Sequence, residues 1–433
     1  MKSKTRLQII PILVSLLFVS ACLGAPAVTE IPAGTESPAE PPSAGPGSEV
    51  SPIQGTLIPP SQPSGLKVAF VLNGNIWLWS ESTPARQLTQ EGDAGDVKIS
   101  RDGLVIAYRR GQTIWAVNSD GSNPRQLVDA SAFALPLLPT SPEPPLLGDF
   151  QFQPGTHMLY FHTRYRLDET YGIPPNDLYR VDADTPEPQS LLTSGGGDIT
   201  ISPDGQLIAL ARTDRINIVN ADGSNLLTAL EFTAVQTYSD WSYVPQVVWL
   251  SDATGFYTVI PASDPNNNPA QLSRFLYVSP TGAFSAQLAE FPAAPVRVSQ
   301  PLIAPDGSKV AYVTQTNAAL DVHVIDASTA DLTVASHPNS GLIGLWAWSP
   351  DSKRFAYWTA DPANLLLAGI NLPSASLVDA SAPYSLRWVD ADRYLYFRDG
   401  ELRLGQVGNP VLAVIAPGFP TTQADTRYYN FAP

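Results

Sequence analysis

The stretch Ile201-Ser202-Pro203-Asp204-Gly205, running into the apolar strand Gln206 to Leu210, is the key to the chain, because it recurs. Pro presets φ at the first central position of a type I turn, Asp suits the second, and Gly accepts the left-handed conformation that follows. A β-rich run on each side of such a turn makes a hairpin. Clear copies are Ile99-Ser100-Arg101-Asp102-Gly103 before Leu104 to Tyr108, Ile303-Ala304-Pro305-Asp306-Gly307 before Lys309 to Tyr312, and Trp348-Ser349-Pro350-Asp351-Ser352 before Lys353 to Tyr357. Weaker copies begin at Phe152, Leu250 and Trp388.

Working outward, a second turn, Asn118-Ser119-Asp120-Gly121 and again Asn220-Ala221-Asp222-Gly223, follows two strands later. It lacks the alternating oxygen ligands and closing Glu of a calcium loop, so it is read as a turn between the third and fourth strands. The unit repeats about every 40 to 54 residues, the period of one four-stranded propeller blade. An all-β fold follows: a single β-propeller over residues 65–433. Its first blade begins at Val68 and lacks an initial strand, which Tyr428-Tyr429-Asn430-Phe431-Ala432-Pro433 supplies from the other end of the chain. That count predicts eight blades closed by the C-terminal strand. Seven is the alternative, because the repeats near 250 and 388 are degenerate.

At these turns and strands the chain resembles TolB-like propellers and the related WD-like repeats of exported bacterial proteins. The resemblance covers about residues 66–433 and implies a fold, not an activity. The α/β domain that precedes the propeller in TolB has no counterpart here, which separates the chain from the Tol assembly.

Ahead of the propeller, residues 1–21 form a basic stretch (Lys2, Lys4, Arg6), an apolar stretch from Leu7 to Val19, and small residues before Cys22, the arrangement of a secretory signal peptide. Pro11 interrupts the apolar run, which is too short to span a ~30 Å hydrocarbon core. Val19-Ser20-Ala21-Cys22 resembles the lipobox of bacterial lipoproteins, which implies a lipid anchor on Cys22, the only cysteine of the chain. With no Asp after it, delivery to an outer membrane is implied where there is one; otherwise the anchor sits on the outer face of the cytoplasmic membrane. Residues 22–64, rich in Pro, Ser and Gly with few large apolar side chains, read as a disordered tether. A lone cysteine allows no internal disulfide, so stability must come from core burial.

The chain of 433 residues carries a formal net charge of −15, with 42 Pro and 30 Gly. An acidic surface repels nucleic acid and anionic lipid, so neither is an expected partner outside the anchor. No cofactor is called for, and a monomer is expected. No Gly-x-Ser-x-Gly elbow is present, so the hydrolase domain that accompanies propellers in prolyl peptidases is missing. His157, His162, His323 and His337 lack metal-ligand spacing and are expected to be structural. Sialidase-type propellers place Gly two residues after Asp, whereas here Gly follows directly, making the repeated Asp residues turn formers.

The connections from second to third strand and from blade to blade fall on the rim opposite the tight turns. The long ones, Ser131 to Gly148, Arg164 to Asn176, Thr233 to Pro245 and Pro261 to Gln271, all belong there. Loops on a rigid scaffold commonly carry function. Arg164, Tyr165, Arg166, Tyr171, Tyr238, Trp241 and Tyr243 supply flat side chains and guanidinium donors suited to a protein interface or to stacking on sugars. Aligning the blades places Arg110, Arg212 and Arg398 at equivalent second-strand ends, where they would receive an anion or pair with neighbouring acids. The expected function is a membrane-anchored, periplasmic or extracellular scaffold that binds a protein, peptide or cell-wall polymer. The competing one is a polysaccharide-active hydrolase or lyase with its acids on the long-loop rim.

Overall fold

In the computed structural model the residues described are 65–129, 146–164, 174–265, 267–268, 270–292, 299–370, 372, 375–380, 386–420 and 425–433. Cys22, the tether, Tyr165, Arg166 and Tyr171 lie outside them.

Eight four-stranded antiparallel sheets form a ring. Blade 1 is built from both ends of the domain: its strands from the axis outward are Tyr429–Ala432, Lys67–Leu72, Asn75–Ser80 and Thr83–Gln87. Blades 2 to 8 follow in chain order, each starting on its innermost strand: Ala94–Ile99, Leu146–Phe152, Asp198–Ile201, Val248–Trp249, Leu302–Ile303, Ile343–Trp348 and Leu386–Trp388. The closing strand pairs antiparallel with the first, Lys67 opposite Ala432 and Phe70 opposite Tyr429. Eight blades and C-terminal closure agree with the reading of the repeat.

The core lies between the blades rather than within them. Alternate residues of a strand face opposite sides of its sheet. Phe70 and Leu72 therefore pack against blade 8 residues such as Leu395 and Phe397, while Ala69 and Val71 pack against Val97 and Ile106 of blade 2. Eight such clusters fill the eight gaps around the ring. A blade buried on both faces must be apolar at both parities, which is why strands such as Val68 to Leu72 read as continuous apolar runs.

The recurring turn behaves as its spelling demands, with one addition. Gly205 sits at φ +73° and its N–H donates to the Ser202 carbonyl at 2.9 Å. The Ser202 hydroxyl donates to Asp204 at 2.6 Å and accepts the Leu207 N–H at 2.9 Å, while Asp204 also accepts the Gln206 N–H at 3.0 Å. Ser100 and Asp102 repeat this network, at 2.6 Å between hydroxyl and carboxylate. The serine is thus a structural partner of the Pro-Asp-Gly turn.

The innermost strands are also stitched to one another by side chains reaching the neighbouring backbone. Trp249, Trp348 and Trp388 donate from Nε1 to the carbonyls of Thr200 (3.0 Å), Leu302 (2.8 Å) and Ala347 (3.0 Å) on the preceding blade. Gln151 reaches Ile199 O at 3.0 Å, and Ile99 N–H donates to Asn430 Oδ1 at 3.2 Å across the closure.

Candidate functional site

Two adjoining cavities open where the innermost strands of blades 2, 3 and 4 meet the rim that carries the long connections. The outer, of about 250 Å³, is lined by Asp96, Arg109, Gln112, Gly148, Arg164 and Arg427 among others. The inner, of about 290 Å³, is lined by Lys98, Asp149, Gln151, His162, Arg164 and Asp198. Asp149 and Arg164 border both. Asp96 and Lys98 sit two apart on one strand, as do Asp149 and Gln151 on the next, so strand alternation presents both members of each pair to the axis.

Most of these charges are paired. Arg109 Nε meets Asp96 at 3.0 Å, and its terminal nitrogens donate to the carbonyls of Leu147 and Gly148, the latter at 2.5 Å, tying blade 2 to blade 3. Arg164 Nη2 meets Asp198 at 2.9 Å. Arg427 lies 3.1 Å from Asp425 and 4.0 Å from Asp96. Desolvation in the channel, with Asp149 adding to it against the pull of Arg164, holds the Asp198 carboxyl above the usual carboxylate range, although 45% of that side chain still meets solvent. Burial, then the nearby Arg387, lowers the Lys98 ammonium below the ordinary lysine value.

His162 is the buried histidine of the site, 1% exposed. Burial, reinforced by Arg164, pulls its pKa down to about 3, so the ring is neutral at any physiological pH. Its Nδ1 and the Nε of Arg164 have no hydrogen-bond partner among the described residues. Gly148 allows the ring to lie where it does, since a Cβ there would fall 1.9 Å from Nδ1. The other histidines make polar contacts: His157 lies 3.0 Å from Asp102 and 2.7 Å from Asp184, His323 2.9 Å from Thr314, and His337 3.0 Å from Tyr357. Among the described residues no group of three or more His, Cys, Asp or Glu is placed to hold a metal ion.

Of the residues singled out from sequence, Arg164 borders both cavities. Arg110, Arg212 and Arg398 border neither: Arg110 pairs with Asp93 at 2.8 Å, Arg212 donates to Gly196 O at 2.9 Å, and Arg398 meets Asp379 at 2.7 Å. Arg109, one place before Arg110, faces the opposite side of the strand and reaches the site. Farther along the same rim, the 233–245 and 261–271 connections are bonded to each other through Gln236 N–H to Ser263 O at 2.8 Å, and Tyr238 OH donates to Asp264. Tyr238 is 54% exposed at φ +55°. Tyr243 is a core residue, its hydroxyl 2.9 Å from Val259 O, and the half-buried Trp241 packs edge-on against it with centroids 6.1 Å apart. Sequence reasoning passed over Asp96, Lys98, Arg109, Asp149, Asp198 and Arg427, and read His162 as structural. The available signal was charge at alternate positions of the innermost strands.

No family model matches the chain, and no curated protein matches it. Solved structures do. An oligogalacturonate lyase in complex with manganese is 18% identical over 68% of this chain and 82% of its own, with a TM-score of 0.46. The putative TolB from Agrobacterium tumefaciens is 11% identical over 63% and 88%, at a TM-score of 0.32. The Dos1 propeller is 12% identical over 76% and 85%, at a TM-score of 0.50. At these identities the likeness is one of fold, and by fold the chain is an eight-bladed β-propeller.

Proposed function

We propose that the protein is an exported, lipid-anchored propeller that binds a protein, peptide or cell-wall polymer through its long-loop rim and the channel mouth beneath it. The observation that carries this reading is convergence. Charged side chains from blades 2, 3 and 4 and from the closing segment meet at one opening, on the same rim as the bonded 233–245 and 261–271 connections. The chain enters the propeller on the other rim: Lys67 Nζ donates to Gly103 O, in the blade 2 turn, at 2.9 Å.

The test is capture of the natural partner from envelope extracts. Replacing Tyr238 and Trp241 together by Ala should weaken capture by a few kcal/mol, the scale of a small hot spot, with an unchanged melting midpoint. Tyr243 is left intact because its removal would open a core cavity. Undiminished capture by the folded double variant would overturn the rim assignment. For the anchor, Cys22→Ser should abolish incorporation of labelled lipid, and normal labelling would end the lipoprotein reading.

One observation favours a second reading, a polysaccharide-active hydrolase or lyase. A carboxyl held above its usual range, Asp198, beside a second one, Asp149, is the pairing a general acid and its partner require. Polysaccharide turnover that is lost in Asp198→Asn would establish it.

A further inference from the structure

Where the 233–245 and 261–271 connections are bonded together, one tyrosine stands at their junction. Tyr238 is 54% exposed and sits at φ +55°, a left-handed conformation that a residue with a ring adopts at a cost. The other connection holds it there. Its hydroxyl donates to Asp264 and accepts from Asn267 Nδ2 at 3.0 Å, and the same nitrogen reaches both oxygens of Asp264, at 3.3 and 3.0 Å. No described ring packs against Tyr238, so an open aromatic surface is fixed by its polar end.

The surroundings are polar and lack a cation. Neither connection contains Lys or Arg, and the next in sequence, Arg274, stands in the third strand of blade 5 opposite Glu290. Gln236, Asp240 and Asn268 are exposed, and their side chains have no partner among the described residues. Tyr238 is the only large apolar side chain that the described residues of these two connections expose.

We propose that this junction binds a neutral glycan, one pyranose ring lying on Tyr238 and its hydroxyls shared among Gln236, Asp240 and Asn268. The site rests on the long-loop rim being the binding face, and it selects the polymer over a peptide. A pyranose has an apolar C–H face and a fringe of hydroxyls that both donate and accept, which an open ring beside amides and a carboxylate matches. An anionic glycan or an acidic peptide needs a cation, and the two connections have none in a protein of net charge −15. An apolar peptide anchor needs a desolvated pocket, to which a single exposed ring contributes no wall. A cationic ligand needs the carboxylate beside the ring, but Asp264 already accepts from Tyr238 and from Asn267.

Calorimetric titration of the full chain in detergent tests this with neutral trisaccharides: chitotriose, cellotriose and maltotriose. Trigalacturonate and trilysine are the charged arms. Saturable binding of at least one neutral trisaccharide is expected, with neither charged trimer bound. Tyr238→Ala should weaken it roughly tenfold or more. Tyr238→Gly should do the same, and because Gly takes φ +55° without strain, that loss reports the missing ring rather than a rearranged loop. Tyr238→Phe keeps the ring and should lose only a few-fold. Phe284→Ala, which removes an exposed ring at the tight turn between the third and fourth strands of blade 5, on the opposite rim, should change nothing. No binding of any neutral trisaccharide, binding that survives Tyr238→Gly, or binding of a charged trimer alone overturns the proposal. These outcomes separate from the rim test. Loss of capture of an envelope protein in the Tyr238 and Trp241 variant, with no trisaccharide bound by the wild type, sinks the glycan and leaves the rim standing. A trisaccharide bound through Tyr238, with capture intact in that variant, sinks the rim assignment for the captured partner and leaves this site standing.

Discussion

Closure of the ring depends on one side chain more than on any other in the last strand. Tyr429 is fully buried, its ring edge-on to Phe397 at 5.3 Å, its hydroxyl donating to Leu395 O at 3.2 Å, and the Arg387 guanidinium 5.5 Å above it. Replacing a buried aromatic by Ala costs about 3–5 kcal/mol. Losing its hydrogen bond adds about 1 kcal/mol. Tyr429→Ala should therefore destabilise the domain by about 4–6 kcal/mol, and Tyr429→Phe by only about 1 kcal/mol. With an unfolding entropy of about 2.1 cal/mol/K per residue over some 370 residues, the Ala variant should melt roughly 5–8 °C lower and the Phe variant roughly 1 °C lower. Scanning calorimetry on the three proteins at equal scan rate reads this directly. An Ala variant that melts with the wild type would mean that the strand Tyr429–Ala432 does not close blade 1 in solution, and the inter-blade account of the core would fail at that gap.

His157 bridges the turns of blades 2 and 3 between Asp102 and Asp184. Burial alone would lower its pKa, but the hydrogen bonds that the ring donates to Asp184 and Asp102 outweigh it and raise the folded value above the usual 6.5. The bridge therefore contributes fully below about pH 6.5, the unfolded value, and fades as pH rises through the raised folded value. His157→Gln should lower the melting midpoint at pH 5.5 by more than at pH 9, by an amount of about 1 kcal/mol or less for a partly exposed pair; equal losses at both would refute the bridge. Trp348→Phe removes the bond to Leu302 O while keeping most of the packing, and should cost about 1–2 kcal/mol in chemical denaturation. Ser202→Ala strips the hydroxyl from the turn at Asp204 and leaves the Leu207 N–H without its acceptor, at about 1–2 kcal/mol, and the Asp204 carboxyl, now held low by that hydroxyl and the Gln206 N–H, should titrate higher by NMR.

The turn motif made the fold legible because its chemistry is local: Pro203, Asp204 and Gly205 specify a backbone path whatever surrounds them. The closing strand was legible because blade 1 lacked a partner for Lys67–Leu72. The repeats near 250 and 388 read as degenerate because their turns, Ser251-Asp252-Ala253-Thr254 and Val389-Asp390-Ala391-Asp392, lack the Pro-Asp-Gly spelling, Ala253 taking the left-handed position at φ +58° where the clear copies have Gly or Ser. The channel mouth was not legible. Asp96 and Lys98 alternate with Val97 and Ile99 as on any half-exposed strand, and only the ring turns that exposed face toward an axis shared with Asp149 and Asp198. The choice of Arg110 over Arg109 is a one-residue parity that spacing alone does not fix, because both faces of a blade are covered.

Pairing Lys67 with Ala432 also sets a clock on folding. At synthesis rates of about 5–20 residues per second, roughly 20–70 s separate the making of the first strand from the making of its partner. Throughout that interval the inner edge of Lys67–Leu72 presents unpaired N–H and C=O groups beside a half-built core, the condition under which strands recruit foreign ones. Seven blades can zip in order behind it, yet that edge is covered only when Tyr429–Ala432 arrives.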